Sequence, residues 1–414
     1  MSIQIFPPEE IVETTVAGLP LSKSIAARAL VLQALTPMSP AIPAGCLPDC
    51  DDINVLKAAL EVRQGAVNIH ASGTALRFLT AYFAATEGTD VVVAGTERLA
   101  ERPIAPLVDA LRSLGADIEY VAAEGHAPLR IRGKRLRGGT VALDASKSSQ
   151  FVSALAMVAP SMADGLRIEL GGRVPSMPYL NMTLRMLEAR GIDARMEAYT
   201  AVIPAGTLRY AEPECEPDWS AASYWYEIAA VTAGWVTLPG LRAGSLQGDS
   251  ILASIGERFG ALTEFTAAGA ELSASPDLYS RLDLDMTDYP DLVPALAVTA
   301  ALIGMPFEFT GVANLRDKEC DRLEALRLNL LRLGVIAEVG RDSFGWEGGR
   351  MPISEIPSID PCGDHRIAMA FAAASAFVPG LIIQEPEVVA KSYPGFFDDL
   401  AAAGFTISEN VTTA

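Results

Sequence analysis

Histidine is nearly missing from this 414-residue chain, which holds three, and cysteine is sparse, with five. Cys46 and Cys50 are close enough in sequence to pair or to share a metal, but no second cysteine or histidine cluster completes a zinc site. Cys215, Cys320 and Cys362 stand alone, so free thiols in a reducing interior are the expectation. Basic residues are also few: 32 Lys and Arg face 51 Asp and Glu, a formal net charge of −19. That excludes general nucleic-acid binding, which needs a basic face. It does not exclude small anionic ligands, which a local cluster of Lys and Arg holds whatever the total charge. No apolar run is long and uncharged enough to suggest a spanning helix. The opening MSIQIFPPEE has no basic stretch followed by an apolar one, so no secretory signal is read and a cytoplasmic location is expected.

What the chain does have is repetition. One amphipathic segment, ending in glycine and followed by a strand-like run, recurs six times, with the glycines at Gly65, Gly115, Gly191, Gly260, Gly334 and Gly404. Each glycine stands where a helix end needs a left-handed residue before a strand. A second, more apolar series alternates with it: SKSIAARALVLQAL, SGTALRFLTAYFAA, SSQFVSALAMVAP, SAASYWYEIAAVTAG, DLVPALAVTAALIG and DHRIAMAFAAASAF. Helices apolar nearly all round belong inside a domain. The chain is too long for one core. Six α/β units therefore read as two lobes of three, with the Pro- and Glu-rich AEPECEPDW (211–219) as one crossing and Gly18–Pro20 as the other.

The buried series begins with polar and charged residues. Serine and aspartate there are expected helix caps. Helix starts also attract anions through unpaired N–H groups and a partial positive charge. Ser24 and Arg28 share a helix face at i,i+4, and Thr74 and Arg77 do so at i,i+3. Ser148, Ser149 and Gln150 offer donors at a third start, and Asp364, His365 and Arg366 open another. ERP (101–103) and NLRDKECDR (314–322) lie outside this series. Basic residues are scarce overall, yet they recur at the starts of the most apolar helices.

These motifs, with CDDINVLKAAL, SMPYLNMTLRML, YPDLVPALAVTAAL and VVAKSYPGFFDDL between and after them, run in order along nearly the whole chain. The sequence resembles the 5-enolpyruvylshikimate-3-phosphate synthase family of enolpyruvyl transferases. The resemblance implies an α/β fold, a two-lobed inside-out barrel with three βαβαββ units per lobe and buried helices. It assigns residues 1–20 plus 217–414 to a phosphoenolpyruvate-side lobe and 21–216 to a shikimate 3-phosphate-side lobe. It implies transfer of the carboxyvinyl group of phosphoenolpyruvate to the 5-hydroxyl of shikimate 3-phosphate. No metal or organic cofactor is expected, no nucleic-acid or membrane partner, and a monomer. The competing readings are the related transferase acting on UDP-N-acetylglucosamine and a non-catalytic anion-binding protein on the same fold. The first normally carries a reactive loop cysteine, and 92–104 has none.

By motif, the resemblance places shikimate 3-phosphate at Lys23, Ser24, Arg28, Ser148, Ser149, Gln150, Ser176, Tyr179, Asp291, Asn314 and Lys318. It places phosphoenolpyruvate at Lys23, Gly73, Thr74, Arg102, Gln150, Arg322, Arg366 and Lys391. The catalytic group is Lys23, Asp291, Glu319 and His365. Lys23 and Glu319 would move the proton at the methylene carbon, and Asp291 would take the hydroxyl proton, with Lys23 as a second candidate. Departures from the family pattern are Leu21 for Gly, Ala26-Ala27 for Ser-Asn, Ala71 for Asn, Phe78 for Pro and Met177 for Lys. Ala71 and Phe78 bear on the shape of the phosphoenolpyruvate pocket and on its response to glyphosate-type analogues.

Overall fold

A computed structural model of the chain describes residues 1–146 and 148–409; residues 410–414, the end of the later expected lobe, lie outside them. The chain divides into two compact units, Met1–Leu21 with Glu216–Ala414, and Ser22–Cys215.

Among the described residues, five four-stranded sheets follow one plan. Two strands run parallel with an inner helix between them in sequence, and two more continue the sheet antiparallel. In the second unit, Gln64–Asn68 pairs parallel with Asp90–Ala94 around the helix Gly73–Ala85. Gly139–Asp144 pairs with Leu166–Gly171 around Ser149–Val158. In the first unit, Leu282–Asp285 and Phe307–Thr310 flank Val293–Leu302, and Ser358–Ile359 and Leu381–Gln384 flank His365–Ala372. The third sheet there borrows Glu13–Thr15, which pairs parallel with Trp235–Pro239 beyond the helix Trp219–Thr232. A parallel pair needs a crossover of helical length, and the apolar series supplies it. Strand faces follow the alternation of the sequence: LRIELG at Leu166–Gly171 buries every second residue.

The inner helices are buried because they have no polar face. All ten residues of Val293–Leu302 and all eight of His365–Ala372 are buried. Ser22, Ser72, Ser148 and Asp364 cap as expected, each accepting from a backbone N–H of its own first turn; at the fourth inner helix Asp218 caps in place of the expected Ser220, and Asp291 does not cap the fifth. Five of the six repeat glycines follow a helical segment with positive φ, whereas Gly65 has the same conformation inside the strand Gln64–Asn68.

One helix pair, Lys23–Leu35 and Asp51–Leu60, has no sheet of its own among the described residues. Its connection carries Pro37, Pro40, Pro43 and Pro48. Proline lacks the N–H a ladder requires, so this stretch cannot continue as a central strand.

The cysteine expectation is overturned. Cys46 is bonded to Cys215, 169 residues away, and Cys50, Cys320 and Cys362 are in no disulfide among the described residues. Neither all-free thiols nor a Cys46–Cys50 site is what forms. Sequence spacing does not determine connectivity, and folding brings the proline-rich connection against the end of the second unit.

Candidate active site

In the second unit, the start of each inner helix supports a polar group. Lys23 opens its helix beside Asp52, from the first turn of Asp51–Leu60, with Nζ 2.8 Å from Oδ2. Both are largely sequestered from solvent. Ser24 is half-buried and its carbonyl accepts from Arg28 Nη1 at 2.9 Å. Arg28 is buried; its Nε donates to Thr183 Oγ1 at 2.7 Å and its Nη2 to the Tyr179 carbonyl at 3.1 Å. Burial pushes its guanidinium down to about 10, opposed by Tyr179. The rings of Phe78 and Tyr179 lie 5.4 and 5.9 Å from its Cζ. Phe78, at the departure from proline, is therefore a wall against Arg28.

A second group forms around Gly73. Gln150 donates to Thr74 Oγ1 at 3.1 Å and accepts from Arg77 Nη1 at 3.0 Å. A Cβ on Gly73 would lie 2.4 Å from Arg102 Nη1 and 2.7 Å from Arg77 Nη1, so two guanidinium groups crowd this helix start. Arg102 is buried with its Nε unpartnered among the described residues. A buried cationic donor with an open N–H at a helix start suits an anion. Ser148 caps its helix, and Ser149 is buried beside it. Ser176 is a non-glycine residue at φ +60 whose hydroxyl does not cap its helix. Such backbone persists where the surroundings hold it and clusters at functional sites.

In the first unit, Arg322 is the centre. Its Nε donates to Asp364 Oδ2 at 2.6 Å, its Nη1 to Asp291 Oδ1 at 2.9 Å and its Nη2 to Glu319 Oε2 at 2.9 Å. Arg366 Nη2 reaches Asp291 Oδ2 at 3.0 Å, Lys318 Nζ is 3.6 Å from Asp291 Oδ1, and Lys391 Nζ is 3.0 Å from Glu319 Oε1. Burial alone would raise the Asp291 carboxyl; Arg366, Lys318 and Arg322 outweigh it and hold the group well below the usual carboxylate range. Burial likewise opposes the Arg322 charge, and Asp364, Glu319 and Asp291 restore it and raise it further. His365 is buried, its Nδ1 3.7 Å from Asp364 Oδ1. Asn314, on the turn Ala313–Asp317, has a buried Oδ1 with no hydrogen-bond partner among the described residues.

The structure thus brings Asp291, Lys318, Glu319, Arg322, Arg366 and Lys391 into one contact network, and joins Thr74 to Gln150 and Arg28 to Tyr179. Each unit gathers cationic side chains beside the start of an inner helix. The family profile described as EPSP synthase (3-phosphoshikimate 1-carboxyvinyltransferase) matches residues 52–400. The chain belongs to the EPSP synthase family. A 3-phosphoshikimate 1-carboxyvinyltransferase of Bacteroides fragilis is 44% identical over 392 residues, 94% of this chain and 95% of that protein. One from Syntrophobacter fumaroxidans is 38% identical over 92% of this chain and 95% of its own length. An EPSP synthase structure from Acinetobacter baumannii has a TM-score of 0.78 at 22% identity, covering 99% of this chain and all of that one, and establishes the fold.

Within this EPSP synthase frame, four side chains in these contacts were absent from the residues carried over by motif: Thr183, inside SMPYLNMTLRML, with Arg77, Asp52 and Asp364. Arg77 stood out only as sharing a face with Thr74. Asp52 lies inside CDDINVL, where a helix-start aspartate reads as a dipole partner. Asp364 reads as a cap, which it also is: its Oδ1 accepts from Arg366 N at 2.9 Å.

Proposed function

We propose that this chain transfers the carboxyvinyl group of phosphoenolpyruvate to the 5-hydroxyl of shikimate 3-phosphate and releases phosphate. The observation that carries the reading is the 44% identity along 94% of the chain to a protein named for that reaction. The site residues are assigned on the motif match, and the two contact networks support the assignment.

In this reading the first unit holds phosphoenolpyruvate through Arg322, Arg366 and Lys391, and reaches shikimate 3-phosphate through Asn314 and Lys318. The second unit supplies Ser24, Arg28, Ser148, Ser149, Ser176 and Tyr179 to shikimate 3-phosphate. Lys23 and Gln150 serve both substrates, and Gly73, Thr74 and Arg102 serve phosphoenolpyruvate. Asp291 and Glu319 are paired to the cations assigned to the substrates' phosphate and carboxylate groups. Anionic substrates compete for those cations. Their arrival weakens the hold on Asp291 and raises its basicity, which a group held so acidic needs before it can accept a hydroxyl proton.

The reaction is then an addition followed by an elimination. Asp291 takes the hydroxyl proton as the oxygen attacks the enol carbon. Glu319, with Lys23, delivers a proton to the methylene carbon, and a tetrahedral intermediate forms. Removal of that proton expels phosphate onto Arg322, Arg366 and Lys391, whose fixed charges stabilise the leaving group. His365 beside Asp364 assists from within the same helix start. The chain is taken as a cytoplasmic monomer; no helix among the described residues is long and apolar enough to cross a membrane.

The deciding experiment is phosphate release from phosphoenolpyruvate with shikimate 3-phosphate as acceptor. Acceptor-dependent release with enolpyruvyl product is expected; none, or release only with UDP-N-acetylglucosamine, overturns the reading.

A further inference from the structure

The Cys46–Cys215 disulfide joins two stretches with little regular structure. The first is the proline-rich connection 36–50, which leads into the helix that presents Asp52 to Lys23 at 2.8 Å. The second is the tail 204–215, the last part of the second unit, where Arg209 N donates to the Arg190 carbonyl at 3.0 Å. Among the described residues, no backbone-to-backbone hydrogen bond ties 210–215 beyond that point. The disulfide fastens the tail at its final residue.

The next residue is anchored in the other direction. Glu216 opens the first unit, and its Oε1 accepts from Leu246 N at 3.2 Å while its Oε2 accepts from Gln247 Nε2 at 3.1 Å and from Ser245 Oγ. Gln247 Nε2 also donates to the Pro217 carbonyl at 2.8 Å. With the disulfide closed, both residues of the Cys215–Glu216 peptide are anchored. With it open, the covalent anchor at Cys215 is gone and 210–215 keep only side-chain contacts, such as that of Tyr210 with Glu212. Cys215 is exposed and Cys46 half-buried, so a small thiol has access.

We propose that the Cys46–Cys215 bond is a redox-sensitive staple: closed, it fixes this crossing and the connection that delivers Asp52 to Lys23; opened by a dithiol, it releases both and slows the enzyme. A thiolate of the dithiol attacks Cys215 Sγ, the sulfur–sulfur bond breaks, and Cys46 leaves as a thiolate that takes up a proton. The second thiol of the reagent then closes on its own first sulfur and displaces Cys215. Two electrons pass from the dithiol, which ends as a disulfide, to the protein, which ends with two thiols. The kinetic consequence rests on the proposed reaction; the structural consequence does not.

The test compares air-oxidised enzyme, enzyme treated with dithiothreitol, and the C46S/C215S variant, all well below their unfolding temperatures. Thiol titration in denaturant should rise from three to five per chain on reduction, given the five cysteines of the sequence and one disulfide. Phosphate release should fall by roughly 10- to 10²-fold on reduction, the scale of a modest misplacement of a reacting group, and recover on reoxidation. Limited proteolysis within 204–215 should speed up in the reduced enzyme. The paired-serine variant should match the reduced enzyme and ignore dithiothreitol; if it fails to fold, the reversible change in the wild type carries the test. Five thiols before reduction, or equal turnover and equal cleavage in both states, overturns the proposal. An enzyme that releases no phosphate in either state refutes the reaction instead, and cleavage and thiol count still decide the staple.

Discussion

Asp364 has no exposed side-chain surface and accepts from Arg322 Nε at 2.6 Å. The same guanidinium holds Asp291 and Glu319 through its other nitrogens. Three carboxylates around one buried cation are tolerable only because Lys318, Arg366 and Lys391 also face them. Removing one member of a buried pair leaves its partner uncompensated and typically costs about 3–5 kcal/mol. Asp364→Asn should therefore lower unfolding free energy by that order, read by urea melts, and should raise KM for phosphoenolpyruvate as Arg322 loses its anchor. Unchanged stability would show that Arg322 does not depend on Asp364.

Glu319 is held between Arg322 Nη2 and Lys391 Nζ. If it transfers a proton, Glu319→Gln keeps the shape and loses the function. Turnover should fall by about 10²–10⁴, the usual worth of a positioned proton transfer, while calorimetric binding of shikimate 3-phosphate changes little. Parallel losses in both would make Glu319 a binding group.

Much of the fold was legible because it is periodic. Ser22, Ser72, Ser148 and Asp364 read as caps and are caps, while Asp218 takes the place expected of Ser220. The alternation of apolar and amphipathic helices set the plan of parallel pairs. The missing sixth sheet was hidden: the helix pattern at 23–35 and 51–60 is as strong as elsewhere, and only the prolines of 36–50 signal that no strand forms. The site was legible as residue types at helix starts. Which cation meets which carboxylate was not, since Arg322, Asp364 and Asp291 come from segments separated by 31 and 42 residues. The Cys46–Cys215 bond was hidden for the same reason.

Asp249 should give the stability curve a recognisable pH dependence. Its Oδ2 accepts from Ser220 Oγ, and burial pushes its carboxyl up to about 7, helped by the Asp291 charge and opposed by Ser220 and Arg366. The folded state therefore binds this proton more tightly than the unfolded chain does. Its contribution is complete below the ordinary aspartate value of 3.8 and is lost as pH rises toward about 7. Asp291 has the opposite sign, because its carboxyl is depressed and its contribution disappears in acid. Unfolding free energies of wild type and Asp249→Asn, measured by urea at pH 5 and pH 8, should show the wild type losing stability relative to the variant by up to about 3 kcal/mol, the share of the loss that falls between pH 5 and about 7. A pH-independent difference would mean that Asp249 is charged throughout.

Lys23→Met tests the pairing with Asp52 as well as the catalytic assignment. Lys23 lies 2.8 Å from Asp52, and both are only slightly exposed. Methionine keeps the stem and removes the charge, so turnover should fall by about 10² or more, the scale for losing one preorganised electrostatic group. The protein should remain folded by circular dichroism. Near-normal turnover would remove Lys23 from the chemistry and leave it as an ion-pair partner.

Gly73→Ala probes the phosphoenolpyruvate side at the level of a single methyl. The alanine Cβ would stand 2.4 Å from Arg102 Nη1 and 2.7 Å from Arg77 Nη1, closer than such atoms approach. The helix start is capped by Ser72 and buried, so the backbone has little room to retreat, and the guanidinium groups must move instead. Alanine is also a better helix former than glycine by about 1 kcal/mol, which acts to preserve the helix itself. The expected result is a protein that melts close to wild type, with KM for phosphoenolpyruvate raised and KM for shikimate 3-phosphate nearly unchanged. Displaced arginines in a binding role affect the ligand they hold, so a variant in which both KM values rise together would place Gly73 and Arg102 in general lobe structure and take them out of the phosphoenolpyruvate site.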